Sequence, residues 1–268
     1  MACEWIIDAL DETWRALDEL LRPRPPEAYD APTPCPGWSV RDVLSHLVGF
    51  ELLLRGDPVP AHEGPWPDYV RNPIGEVNEA YVQAYRGRPG AELLDEFRGV
   101  AAAALVRLRA LDDEGWARVG WSPVGDRPYH VFQEIRVVDS WIHLQDVRDG
   151  LDVPGRAGEA GEEIVLNRLE AGLPYVVGKK MGARDGTTVR LNLTGPRGRS
   201  VSIAVARGRA EPVASIDGAP SLELTTSTDL YWRRGAGRVT ADRFLAGSRV
   251  AGDEAMARSL AADLHVIT

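Results

Sequence analysis

Cysteine is nearly absent from this chain: its 268 residues include only Cys3 and Cys35, too few for a disulfide framework or a thiolate metal cluster. Long apolar runs are missing as well. No stretch approaches the roughly 20 apolar residues that cross a bilayer. The opening, MACEWIIDALDETW, is acidic early and lacks the basic segment and apolar run of a secretory signal. Positive charge is in short supply, with 31 Lys and Arg against 40 Asp and Glu and a net charge of −9. With no basic block, neither nucleic acid nor an anionic membrane surface is expected as the main partner. Internal repeats and low-complexity tracts are lacking too. What is present is 44% hydrophobic and 26% charged, enough for a real core in one large or two modest domains. The cytosol is the expected compartment, and monomer and homodimer both stay open.

The character of the chain changes after Gly150, at a VPGRAG linker. Before it, the 3.6-residue period predicts helices over 3–21, 39–54, 74–86, 91–111 and 129–151, separated by Pro- and Gly-rich loops. Trp5, Ile6, Leu10, Trp14, Leu17 and Leu21 share one face of the first. Ser39 with Asp42 three residues on reads as a capping-box start for the second. Beyond the VPGRAG linker, a helix over 159–179 is expected to kink near Pro174. From Thr187 the period becomes two: TTVRLNL, a GPRGR turn and SVSIAVA predict a hairpin. VASIDG and SLELTT supply shorter strands, the latter running into a short helix near Trp232, and 253–264 closes as an amphipathic helix. The expectation is a helical domain over 1–152 and an α/β domain over 153–268.

The chemistry concentrates in 129–151, YHVFQEIRVVDSWIHLQDVRDGL. Val131, Phe132, Ile135, Val138 and Ile142 form one apolar arc, and Val137, Trp141 and Leu144 a second flank, so cover is expected on both sides. Asp139, His143 and Asp146, spaced i, i+4 and i+7, stack on or beside the first arc. A carboxylate and an imidazole on a core-facing side need a partner or a ligand. An i, i+4 pair can give two ligands to one metal ion, and an ordinary Asp–His core pair accounts for the same pattern. His46, on the second helix, supplies a third donor. His46, Asp139 and His143 together would leave one coordination position open, as catalytic zinc sites do.

Cys35 precedes a helix start, where a thiolate feels the N-terminal dipole. With no basic partner nearby in sequence, it reads as a small residue of a Pro-rich turn. His62 is expected in solvent, and Trp66 and Tyr69 either cover a pocket or fold back on the core. Arg233 and Arg234, with Arg238 nearby, form the one notable basic cluster of the second half. They are either solvated surface or guanidiniums that hold a substrate carboxylate.

The segments TPCPGWSVRDVLSHLVGFE and VVDSWIHLQDVRDGL resemble the mycothiol-dependent maleylpyruvate isomerase family, of the DinB-like metal-binding superfamily. The resemblance implies a DinB-like four-helix bundle followed by a sterol-carrier-like α/β domain. It implies a divalent metal, usually zinc, on His46, Asp139 and His143. The founding members carry Glu where this chain has Asp139, one methylene shorter. It further implies mycothiol, a thiol of actinobacteria, as thiol cofactor or co-substrate, and an arginine from the second domain, for which Arg234 and Arg233 are the candidates. The implied activity is addition of a metal-activated thiolate to a small electrophile, ending in cis–trans isomerisation or S-transfer. The alternative is a non-catalytic carrier or sensor on the same fold.

Overall fold

The computed structural model describes residues 3–156 and 158–266. The chain forms two compact units, Met1–Ile164 and Val165–Thr268. In the first lie helices α1 (Glu4–Leu21), α2 (Val40–Arg55), α3 (Pro73–Tyr85), α4 (Gly90–Arg109), the short α5 (Asp113–Ala117) and α6 (Tyr129–Gly150). A two-residue ladder, β1 (Val119–Gly120) with β2 (Arg127–Pro128), precedes α6. Helix α7 (Glu159–Tyr175) begins in the first unit and ends in the second.

Helices α1, α6, α2 and α4 pack in a closed ring, each against the next, with α3 laid along α2 and α5 against α6. This is the predicted four-helix bundle. The face of α1 buries Ile6, Leu10, Trp14, Leu17 and Leu21 against it, whereas Trp5 lies at the margin and stays exposed. The start of α2 follows from its sequence: Ser39 Oγ accepts from the Asp42 amide while the Asp42 carboxylate accepts from the Ser39 amide. Asp42 has a second duty, since its other oxygen accepts from Arg86 Nε at 3.1 Å and ties α2 to the end of α3.

Helix α6 is covered on both flanks, as its two apolar arcs require. Phe132, Val138 and Ile142 are buried on one, and Val137, Trp141 and Leu144 on the other. Val131 and Ile135 keep intermediate exposure. The second flank meets α1 and the first turn of α7. Trp14 Nε1 donates to Ser140 Oγ at 3.0 Å, and Trp141 Nε1 donates to the Gly158 carbonyl at 2.7 Å. A side chain on Gly161 would come within 2.4 Å of the Trp141 ring, so glycine there is what admits the indole. Deep in the bundle Arg136 pairs with Glu51 of α2 and with Gln133 of its own helix, and its guanidinium lies over the Trp14 ring at 5.5 Å.

In the second unit α7 carries Pro174 and passes into a π turn at Val176–Lys180, the local break that a helix-interior proline produces. Strands β3 (Thr188–Thr194), β4 (Arg199–Ala206), β5 (Arg209–Val213), β6 (Leu222–Ser227) and β7 (Arg249–Gly252) form one sheet in the order β5-β4-β3-β6-β7. Only β3 and β6 run parallel; the other pairings are antiparallel. Val189, Leu191, Leu193, Ile203, Val205, Leu222 and Leu224 bury one face beneath α8 (Thr228–Gly235) and α10 (Glu254–Asp263), with α9 (Ala241–Ala246) between those helices. The third strand lies earlier than VASIDG suggested. Arg207 and Gly208 both take positive φ, at 52° and 72°, making a two-residue hairpin loop that starts β5 at Arg209. Pro212 is tolerated because β5 is an edge. No described helix is long and apolar enough to cross a membrane.

One substitution tests the fit of α2 on α3. A Cβ at Gly49 would lie 2.5 Å from Tyr81 Cβ and 2.3 Å from its Cγ, atoms too close to the backbone to swing aside. Gly49→Ala gains up to about 1 kcal/mol of helix propensity and loses about 1–3 kcal/mol to overpacking. A lowered urea midpoint is therefore expected, and an unchanged or raised midpoint would show that the two helices can part freely.

Candidate metal centre

Helices α2 and α6 cross antiparallel, as their pairings show. His46 meets Asp139 and His143, while Glu51, further along α2, meets Arg136, further back on α6. At the crossing, His46 Nε2 lies 3.1 Å from Asp139 Oδ2 and His143 Nε2 lies 3.6 Å from Asp139 Oδ1. One donor atom from each of the three residues falls within 4.8 Å of the others. The two imidazoles are buried and sit edge to face, with centroids 4.9 Å apart. The Asp139 side chain is 39% exposed and marks the open side of the cluster.

This donor set fits a divalent ion. Zinc–nitrogen and zinc–oxygen distances near 2.1 Å put neighbouring tetrahedral ligands about 3.4 Å apart, and the two separations above fall on either side of that value. Asp146, fully buried, holds the far nitrogen of one ring: its Oδ2 is 3.1 Å from His143 Nδ1. A carboxylate on Nδ1 fixes the tautomer that presents the Nε2 lone pair, the usual arrangement behind a metal-bound histidine. His46 lacks such support, and its buried Nδ1 has no hydrogen-bond partner among the described residues.

The wall of the site comes from the loop before α2. Trp38 N donates to the Cys35 carbonyl at 3.1 Å, with Pro36 and a positive-φ Gly37 (75°) between them, the pattern of a type II turn. Gly37 is doubly required, because a Cβ there would come within 2.3 Å of the Tyr69 ring. The turn lays Trp38 against both imidazoles, with centroids 5.2 Å from His46 and 5.8 Å from His143. Its indole N–H donates to Glu79 Oε2 at 2.9 Å, and Tyr69 donates to the other oxygen of that buried carboxylate at 3.0 Å. Phe50 closes the His46 side at 6.2 Å. Tyr69 thus folds back on the bundle, while Trp66 stacks on His62 at 3.8 Å, so His62 is not free in solvent.

The fold also places Cys35 and the two candidate arginines. Cys35 has no basic neighbour in sequence, yet folding brings it to His143 and Asp146, with donor atoms of the three within 4.8 Å of one another. Arg234 is buried in the second unit, where Nε and Nη2 donate to the carbonyls of Ala261 and Ala262 at 2.6 and 2.7 Å and Nη1 reaches the Val239 carbonyl at 3.4 Å. It fastens the last turn of α10. Arg233 pairs with Asp229 at 3.0 Å and lies over the Trp232 ring at 4.6 Å. Both guanidiniums are thus engaged inside their own unit.

No curated protein matches the chain by sequence. Among solved structures, the mycothiol-dependent maleylpyruvate isomerase superposes with a TM-score of 0.58 at 16% identity, over 94% of this chain and 93% of that one. A histidine-to-alanine mutant of that enzyme gives 0.57 at 15% identity with the same coverage. At such identities the likeness shows a shared fold, a helical unit followed by a sheet unit. Residues 10–148, which carry His46, Asp139 and His143, match the family described as the mycothiol maleylpyruvate isomerase N-terminal domain, and the chain belongs to that family.

Proposed function

We propose that the protein holds one divalent metal ion, zinc or a similar cation, on His46, Asp139 and His143. With mycothiol as thiol co-substrate, it adds the thiol sulfur to an electrophilic carbon of a small unsaturated acid of the maleylpyruvate kind. The observation that carries this reading is the convergence of three metal-competent donors from α2 and α6 inside the family-matched segment. A bound divalent cation would supply one thing, a lowered pKa for a coordinated thiol and so more thiolate near neutral pH.

The chain's own residues do the rest. Asp146 holds His143 by Nδ1, which orients the ring. Trp38 and Phe50 cover the faces of the imidazoles and keep water from them. The half-exposed edge at Asp139 is the side from which small molecules reach the donors. No protein nucleophile is required. The thiol gives up its S–H proton, and the resulting thiolate sulfur forms a C–S bond at one alkene carbon while the π pair moves onto the conjugated carbonyl. Rotation about the former double bond and departure of the sulfur restore the alkene and the thiolate, giving cis–trans isomerisation. If the adduct is protonated instead, an S-conjugate leaves, and the protein is a thiol S-transferase.

Protein purified without chelator is expected to contain about one metal ion per chain by elemental analysis, and His143→Ala to lose most of it; full occupancy in that variant overturns the triad. Mass spectrometry with mycothiol and a panel of unsaturated acids, quinones and epoxides identifies the second substrate. In that assay Asp139→Ala should lower mycothiol-dependent turnover by orders of magnitude. Asp146→Asn, which contributes no donor to the triad, should weaken metal binding by about 10–100-fold, measured by competition with a chromophoric chelator. Unchanged affinity would mean that the buried carboxylate does not orient His143.

A further inference from the structure

His143 stands between two donor sets. Near its Nε2 lie Asp139 and, beyond it, His46; at its Nδ1 lies Asp146, and Cys35 completes a second cluster with that pair, its donor atoms again within 4.8 Å of one another. We propose that Cys35, His143 and Asp146 form a second cation site, selective for thiophilic divalent ions, which shares His143 with the first set and cannot be filled at the same time.

The donor chemistry supports the selectivity. The first set offers two imidazoles and a carboxylate, whereas the second exchanges one imidazole for a thiolate, the ligand that favours soft cations. The sulfur is presented by a fixed turn. Besides the Cys35–Trp38 bond, the Cys35 amide donates to Thr33 Oγ1 at 3.2 Å, and the Thr33 amide donates to the Trp38 carbonyl at 3.0 Å. Cys35 is half-buried, so an ion can approach it and the thiol proton can leave to solvent as the ion binds. Asp146 is fully buried and brings its carboxylate to the same ring without competing water.

Exclusion follows from the single lone pair of a neutral imidazole. An ion on Nε2 leaves the proton on Nδ1, where the Asp146 carboxylate accepts it. An ion on Nδ1 needs Asp146 as a ligand and the proton on Nε2, where Asp139 accepts it. The same ring serves one set or the other. The existence of the Cys35 site does not depend on the proposed function; the mutual exclusion does, because it rests on the reading of His46, Asp139 and His143 as a metal site.

The test is a titration of the metal-free full chain with cadmium(II), without any added thiol. Near-ultraviolet thiolate-to-cadmium absorption and the amount of bound cadmium at saturation are both recorded. The chain has only two cysteines, so the band is assigned by substitution. The expected result is a band in the wild type that persists in Cys3→Ser and in His46→Ala (or His46→Asn, should the alanine variant not fold) and disappears in Cys35→Ser. Bound cadmium should saturate near one ion per chain, as a single shared histidine requires. No band in the wild type, or a band that survives Cys35→Ser, overturns the site. Two cadmium ions per chain overturn the exclusion. If Cys35→Ser binds no ion while the wild-type band is present, the Cys35 site stands and the His46–Asp139–His143 reading falls. If Cys35→Ser binds one ion and the wild type shows no band, the His46–Asp139–His143 site stands and the Cys35 site falls.

Discussion

The constraint on which the first unit depends is that α6 is buried on both flanks and yet carries polar groups. Gln133, Arg136, Ser140, His143, Gln145 and Asp146 are all buried on this one helix. Each buried polar group left unmatched costs about 1–3 kcal/mol, against a total stability of about 5–15 kcal/mol for a typical domain. A few mismatches would unfold the bundle, so the neighbours have to answer α6 residue by residue. Trp14 answers Ser140, Glu51 answers Arg136, and the Gly158 carbonyl answers the Trp141 indole. Apolar packing alone allows helices to slide by a turn; these partners do not. The matching is not complete: Gln133 Nε2 lacks a hydrogen-bond partner among the described residues, and Glu51 Oε2 has only the Arg107 guanidinium at 3.7 Å.

The candidate site is a consequence of that same matching. Two carboxylates about two turns apart on one side of α6 acquire different work from their surroundings. Asp139 is half-exposed and faces both imidazoles, whereas Asp146 is sealed in and touches the reverse side of one of them. The Arg136–Glu51 pair lies further along the same crossing and holds α2 at a fixed depth against α6. His46 therefore reaches the other two donors because of contacts in which it takes no part.

Much of this is readable from sequence, and what is not has physical reasons. The long helices of the bundle, the capping box at Ser39, the break at Pro174 and the first hairpin all leave local signals in period or in turn chemistry. His46, Asp139 and His143 stand out because ionisable residues among core-facing positions demand an explanation. Helices α5 and α9 and strand β7 are too short for periodicity to register, though Asp112 and Thr240 do mark the helix starts as N-caps. The start of β5 escapes sequence reading because Arg207, a non-glycine residue at positive φ, hides a two-residue turn. Trp38 and Cys35 escape it as neighbours of His143 for a different reason. Their proximity is created by the loop's path over α6, a contact more than 100 positions apart that no local pattern encodes.

Gly150 shows what such a path demands in return. It lies inside the helix predicted over 129–151, its φ is not in the left-handed region, and α6 includes it as the last residue. Its reason is steric: a Cβ there would lie 2.7 Å from the Pro32 carbonyl oxygen. The absent side chain is a clearance for a strand of chain laid down long before. The identity of position 150 is thus dictated by Pro32 and Thr33 and not by its own helix. A helix-propensity scale would rank alanine as the improvement at this position, and the fold would register it as an obstruction that lifts the Cys35–Trp38 turn away from His143.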